Sequence, residues 1–181
     1  PADLGANVPI LGVRQVWAAQ VGRLGNFPLA VRSAGTTVTV ASEDGVVAAI
    51  DVRTGQDLWR TKLAEPLSAG VGGDGRATAV VTRSNALIVL EAGRERWRRT
   101  LTAQVFTPPV VAGGRVFVLS ADHSVVAYDA GTGYRLWSQR RPGESLVLRQ
   151  AGVLLAVGDT LVAGFSGRLV GLNPDNGSVR W

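Results

Sequence analysis

Apolar residues in this chain come in short runs rather than at helical spacing. Arg115-Val116-Phe117-Val118-Leu119-Ser120 is one such run and Val125-Val126-Ala127-Tyr128-Asp129 another, with Gly113-Gly114 before them and Ala121-Asp122-His123-Ser124 between. Runs of this length, rich in β-branched and aromatic residues and bounded by Gly, Asp and Asn, predict strands. Adding 107–111 in front and 134–139 behind, across the turn Gly131-Thr132-Gly133, gives a four-stranded antiparallel meander. Its second and third strands are almost continuously apolar, as strands buried on both faces are. The fourth carries more charge, which suits an outer edge that must not pair with strangers.

The same pattern recurs. Segments 37–42, 46–51 and 57–62 repeat the last three strands, as do 76–82, 86–91 and 95–101, and again 160–164, 168–173 and 178–181. All five tryptophans, Trp17, Trp59, Trp97, Trp137 and Trp181, fall in one phase, with gaps of 42, 38, 40 and 44 residues. A rare residue returning at a period near forty, with four strands per period, predicts an all-β fold, a β-propeller of four-stranded antiparallel blades. The expected layout is an extension over 1–12, an outer strand over 13–22 that closes a ring, and blades over 23–63, 64–101, 102–141 and 142–181. The last blade is expected to be cut short in its outer strand.

The turn before the fourth strand is the most specific local feature. It reads Asp51-Val52-Arg53-Thr54-Gly55, then Asp129-Ala130-Gly131-Thr132-Gly133, then Asn173-Pro174-Asp175-Asn176-Gly177, each with a tryptophan four residues after the glycine. The Asp or Asn side chain accepts hydrogen bonds from turn amides, and Gly55, Gly133 and Gly177 supply the positive φ of the reversal. The tryptophan is then expected to lie across the neighbouring blade. The second repeat departs, running Glu91-Ala92-Gly93-Arg94-Glu95-Arg96-Trp97, and this clipped turn accounts for the 38-residue gap.

Composition narrows the function. The chain has 181 residues, 46% hydrophobic and 18% charged, with a formal charge of +5 and no cysteine. Its arginines are scattered over the repeats and form no basic helix or tail, so we expect no nucleic-acid partner. No apolar run approaches the roughly 20 residues of a membrane helix. Disulfides and thiolate metal sites are excluded. His123, the one histidine, follows Asp122 in a turn and makes neither a metal site nor a triad with it. Asp51 and Asp129 belong to equivalent turns of different blades, too far apart to act as paired carboxylates. We expect no catalytic residues, no metal and no cofactor.

The repeated string ending in Thr-Gly and a tryptophan resembles the tryptophan-docking repeat of quinoprotein, or PQQ-type, propellers. Val16-Trp17-Ala18-Ala19-Gln20-Val21-Gly22, followed by Gly25-Asn26-Phe27, resembles the opening of the BamB family of outer membrane protein assembly factors, and so does Ser145-Leu146-Val147-Leu148-Arg149. The resemblance implies an eight-bladed propeller of which this chain is the N-terminal half. It implies an N-terminal lipid, absent from this chain, as the hold on the periplasmic side of the outer membrane. It also implies a scaffold role in the β-barrel assembly machinery, with the periplasmic POTRA domains of BamA as partner and unfolded outer membrane proteins as clients.

By that resemblance Leu146, Leu148 and Arg149 are the contact residues. From the residues alone two readings stay open. Leu146 and Leu148 share one face of a strand and could enter a blade as its first strand, or they could form an exposed anchor beside an arginine, as binding hot spots do. The extra length of the 44-residue gap falls here and favours the anchor. Arg94, Arg96, Arg98, Arg99, Arg140 and Arg141 read as a charged outer edge, with attraction to acidic partners or anionic lipid as the alternative. Two rival functions share the repeat: a fragment of a PQQ-dependent quinoprotein dehydrogenase, whose adjacent cysteines are missing here, and a generic propeller scaffold. A half propeller is also expected to expose apolar blade faces and to self-associate.

Overall fold

The computed structural model describes residues 14–23, 30–140, 152–165 and 167–181, and every described element is a β-strand. The first sheet is β1 (Arg32–Ala34), β2 (Thr37–Ala41), β3 (Val46–Asp51) and β4 (Asp57–Lys62). The second is β5 (Leu67–Gly73), β6 (Ala77–Thr82), β7 (Ala86–Glu91) and β8 (Arg94–Thr100). The third is β9 (Val110–Ala112), β10 (Arg115–Leu119), β11 (Ser124–Asp129) and β12 (Arg135–Arg140). The fourth is β13 (Val153–Val157), β14 (Thr160–Phe165) and β15 (Arg168–Leu172). Each is an antiparallel meander in chain order.

Alternation along the middle strands decides how the sheets stack. In β3, Val47 faces the second sheet, where it joins Ala41, Val80, Ile88 and Leu90; Ala48 and Ile50 face the other way. In β7, Ile88 and Leu90 point back to the first sheet while Leu87 and Val89 point forward to Val116, Val118 and Val126. In β10, Phe117 and Leu119 point forward to Leu154, Leu161 and Val170 of the fourth sheet. Side chains two apart thus fill one interface and their neighbours the next, so a middle strand has no solvent face. This stack of three four-stranded sheets and one three-stranded sheet is the blade packing of a β-propeller.

Three segments differ from the sequence reading. The strand expected over 107–111 is β9, Val110–Ala112, because Pro108 and Pro109 have no N–H to give a ladder. Residues 14–22, expected within an outer strand over 13–22, carry no strand; among the described residues no third strand lies beside them to supply the hydrogen bonds. In place of a strand over 178–181, the fourth sheet has a single bridge between Leu172 and Val179, with Gly171 and Trp181 bonded beside it.

Candidate functional site

The tryptophans join one sheet to the next. Trp97 on β8 lies against Gly133 in the third sheet, and Trp137 on β12 lies against Gly177 in the fourth. Their indole N–H groups donate to Ala130 O and Pro174 O, both at 2.9 Å. Trp17 does the same from outside any strand, lying on Gly55 and donating to Val52 O. A Cβ on Gly55, Gly133 or Gly177 would come within 2.7 Å of the ring it faces, and all three hold φ near +70°. These positions therefore need glycine twice over, for conformation and for room.

The turn chemistry behind each dock is the expected one. Asp129 Oδ1 accepts from the backbone N–H groups of Gly131 and Thr132 and from the Thr132 hydroxyl, at 2.8–3.0 Å. Bonding to Thr132 holds its carboxyl below the usual carboxylate range. Asp51 and Asn173 play the same part through the N–H groups of Arg53 and Asp175. The clipped turn is the exception. Trp59 rests on Gly93, but Glu91-Ala92-Gly93 has lost the residue that presents a carbonyl to the indole, and Trp59 Nε1 has no partner among the described residues. The Thr61 hydroxyl donates to Gly93 O instead.

Two of the four arginines of β8, Arg96 and Arg99, prove to belong to the docks. Arg96 Nε donates to Gly131 O at 2.8 Å and Arg99 Nε to Gly133 O at 2.9 Å. With Trp97 between them, they clamp the turn of the third sheet. Arg98 pairs with Glu95 within its own strand, at 2.7 Å. Sequence reading took this row for edge charge. The signal it could have used is a donor two residues after the tryptophan, Thr61 in one repeat and Arg99 in the next.

The predicted contact residues Leu146, Leu148 and Arg149 lie outside the described residues, as do Arg141 and Gly25-Asn26-Phe27. What brackets the contact segment is clear. It leaves β12 at Arg140, whose Nε is 3.8 Å from Asp122 Oδ2, and returns at Gly152, whose N–H donates to Thr107 Oγ1 at 2.9 Å. Between sheets the chain spans 63–66, then 101–109, then 141–152, the last being the longest. The first-strand place of the fourth sheet is filled by β13, Val153–Val157. His123 holds φ 61° at the turn position where Gly45, Asn85 and Gly167 are also left-handed, so its place there is conformational. Among the described residues no three acidic or histidine side chains stand together as a metal site would need.

Four-stranded blades, each pinned to the next by a tryptophan over a turn glycine, define a tryptophan-docking β-propeller. Within that class the chain belongs to the outer membrane protein assembly factor BamB family, whose profile matches residues 43–181. It is 40% identical to outer membrane protein assembly factor BamB of Burkholderia pseudomallei, over 100% of this chain and 48% of that protein. The counterpart in Bordetella pertussis is 36% identical, over 100% of this chain and 47% of its own length. The chain thus spans about half the length of these curated relatives. Among solved structures, BamB from Moraxella catarrhalis matches with a TM-score of 0.74 at 23% identity, covering 84% of this chain and 47% of that one. A europium-containing methanol dehydrogenase matches with a TM-score of 0.71 at 18% identity, covering 93% and 43%. At such identities the likeness shows fold alone, and one fold serves both names, so function has to be argued from sites.

Proposed function

We propose that this chain is part of a non-enzymatic scaffold for outer membrane protein assembly. It acts on the periplasmic side of the outer membrane, where the whole protein is lipid-anchored, and binds BamA through Leu146, Leu148 and Arg149. Membership of the BamB family is the observation that carries this reading. The chain's own geometry supports it. Blade-to-blade contacts use the middle strands, the tryptophans and the turn glycines, so those residues are committed to the fold. Residues 141–152 are the longest stretch of chain between sheets, and the first-strand place of the fourth sheet is taken by β13.

The mechanism is rigid presentation. A stack of sheets locked by indole and arginine contacts holds the two residues that bracket this segment, Arg140 and Gly152, in place. Leu146 and Leu148 then offer apolar area to a groove or sheet edge of a POTRA domain, and Arg149 offers its guanidinium to a carboxylate or carbonyl. No bond is made or broken. Unfolded outer membrane proteins are clients of the assembled machinery in this reading.

The test is co-purification with BamA of full-length protein carrying Leu148→Asp or Arg149→Glu. A hot-spot loss of about 2 kcal/mol corresponds to a roughly thirtyfold weaker complex, with an unchanged circular dichroism spectrum. Undiminished co-purification would remove the assignment. PQQ binding with alcohol-dependent reduction of an electron acceptor would support the dehydrogenase reading instead.

A further inference from the structure

We propose that the groove between β8 and β12, at the outer edge of the second and third sheets, binds an extended acidic segment of a partner protein, with Arg99 and Arg135 taking its carboxylates. The third sheet breaks a rule that the first two keep. β4 and β8 each carry an acid two residues before the tryptophan and an arginine one residue after it, and the two pair: Asp57 with Arg60 at 2.6 Å and Glu95 with Arg98 at 2.7 Å. On β12 the same places hold Arg135 and Ser138. The acid has become a cation, and the side chain that would answer it is neutral. Among the described residues Arg135 meets no carboxylate, and β12 contains no acid. None of these residues belongs to the proposed BamA contact.

Register shows where these charges point. Arg135 stands opposite Tyr128, Ser138 opposite Val126 and Arg140 opposite Ser124. Tyr128 and Val126 pack towards the second sheet, so Arg135, Ser138 and Arg140 face it too. From the other wall, Arg99 stands opposite Leu87, which packs towards the third sheet. Between the walls lies Tyr128, its ring 6.3 Å from that of Trp97. Burial pushes the Tyr128 hydroxyl up, and the charges of Arg135 and Arg99 draw it back, so both guanidinium groups act on one spot. Arg99 spends its N–H groups on the carbonyls of Gly133, Arg98 and Thr132, which leave its charge uncancelled. Arg140 is 3.8 Å from Asp122 at the far end. The groove between the first and second sheets is built alike, but it holds Thr61, Leu90 and the Glu95–Arg98 pair. One groove is neutral and the next is basic.

The form of the ligand follows from the edge beside it. β12 is the outer strand of its sheet, and an outer strand offers N–H and C=O groups to an extended chain. On β4 and β8 a charged pair guards that edge; on β12 it does not. Tyr134 and Leu136 stand 71% and 47% exposed there and offer apolar area. Both sides of β12 are built: Arg96 and Arg99 of the second sheet reach the turn before it, and the turn 173–177 of the fourth lies under Trp137. A membrane surface would call for cations spread along the rim, but Arg60 and Arg98 are neutralised in place. Positive charge confined to one groove suits a single acidic chain.

Fluorescence anisotropy of the full-length protein with a short labelled peptide of alternating glutamate and threonine tests this. The peptide should bind, and its glutamine–threonine counterpart should not. Arg135→Glu puts back the kind of residue that Asp57 and Glu95 supply at this place, so the circular dichroism spectrum should not change. Affinity should fall about tenfold or more, through lost attraction and added repulsion. Arg53→Glu makes the same change of charge on a turn of the first sheet and should leave affinity within about twofold, since salt screens distant charges. Equal binding of the two peptides, binding of neither, or equal losses at 53 and 135 would each overturn the proposal. Phosphatidylglycerol vesicles that bind through Arg135 where the glutamate peptide does not would overturn it in favour of a lipid site.

Discussion

The first and fourth sheets each lack a neighbouring sheet on one side among the described residues, and they meet that lack differently. On the first, Val40, Ala48 and Ile50 are buried, with Trp17 and Val21 packed on them. On the fourth, Leu155, Leu169 and Trp181 stand in solvent. The strand patterns are alike, so the difference lies in one indole and the segment that carries it. Arg23 O accepts from Glu43 N–H at 3.1 Å, and Arg60 donates to Val21 O at 3.3 Å. A blade face thus needs apolar cover, but a single docked tryptophan on a tethered strap supplies much of what a neighbouring sheet supplies elsewhere.

Removing that indole breaks the comparison with the largest effect. Full burial makes Trp→Ala cost about 3–5 kcal/mol. Trp17 is half-buried, and we expect Trp17→Ala to cost about 2–3 kcal/mol in urea unfolding, with faster hydrogen exchange at the Ile50 amide. Trp181→Ala, at an exposed position, should stay within about 0.5 kcal/mol. Equal costs at the two ends would show that Trp17 is not the cover.

Much of this was legible beforehand, and the limits have physical causes. Val46–Asp51, Asp57–Lys62 and Ala86–Glu91 could be read to the residue because apolar runs stop sharply at Gly, Asp and Asn. The first strands could not. β5 reads Leu-Ser-Ala-Gly-Val-Gly-Gly, with little β-branched signal, because backbone rather than side chain makes its contact: a Cβ on Gly72 would sit 2.1 Å from Pro109 O. Trp17 showed its phase but not its situation, since phase implies a strand and pairing needs a partner. The roles of Arg96 and Arg99 were hidden because their partners are carbonyls some 35 residues away, and a carbonyl leaves no trace in sequence. Leu146, Leu148 and Arg149 rest on likeness to a family, since their two-residue spacing fits a core strand equally well.

The docks themselves allow a finer contrast. Trp97→Phe keeps most of the apolar area but loses the N–H bond to Ala130 O, which contributes about 1 kcal/mol. Trp59→Phe loses no such bond, because the clipped turn offers no carbonyl. Phenylalanine should therefore cost about 1 kcal/mol more at 97 than at 59. Equal penalties would mean that shape alone sets the dock.

The smallest expected effect compares how the two end segments are fastened. Asp44 holds the strap side: its carboxylate accepts from Lys62 Nζ at 2.8 Å and from the Ser42 hydroxyl at 2.5 Å, and the Arg23 N–H reaches it at 3.4 Å. Led by the Lys62 bond and then by Ser42, these contacts hold its pKa down at about 2. Asp159 fastens the other end through Arg180 at 2.7 Å, and Arg180 with Thr160 lowers its pKa as well. A carboxyl whose folded pKa is depressed contributes stability in full above its unfolded value near 4 and loses it as pH falls through the folded value. The Asp44 clip should therefore weaken between about pH 4 and pH 2 and the Asp159 clip as pH falls below its unfolded value, and both are exposed enough that salt should mute them. Asp44→Asn should flatten the fall in Tm over that window and speed exchange at the Glu43 amide, which bonds the strap. Asp159→Asn should loosen residues 178–181 without touching Glu43. If either substitution acted on the opposite end, the two fastenings would be one coupled system rather than two local ones.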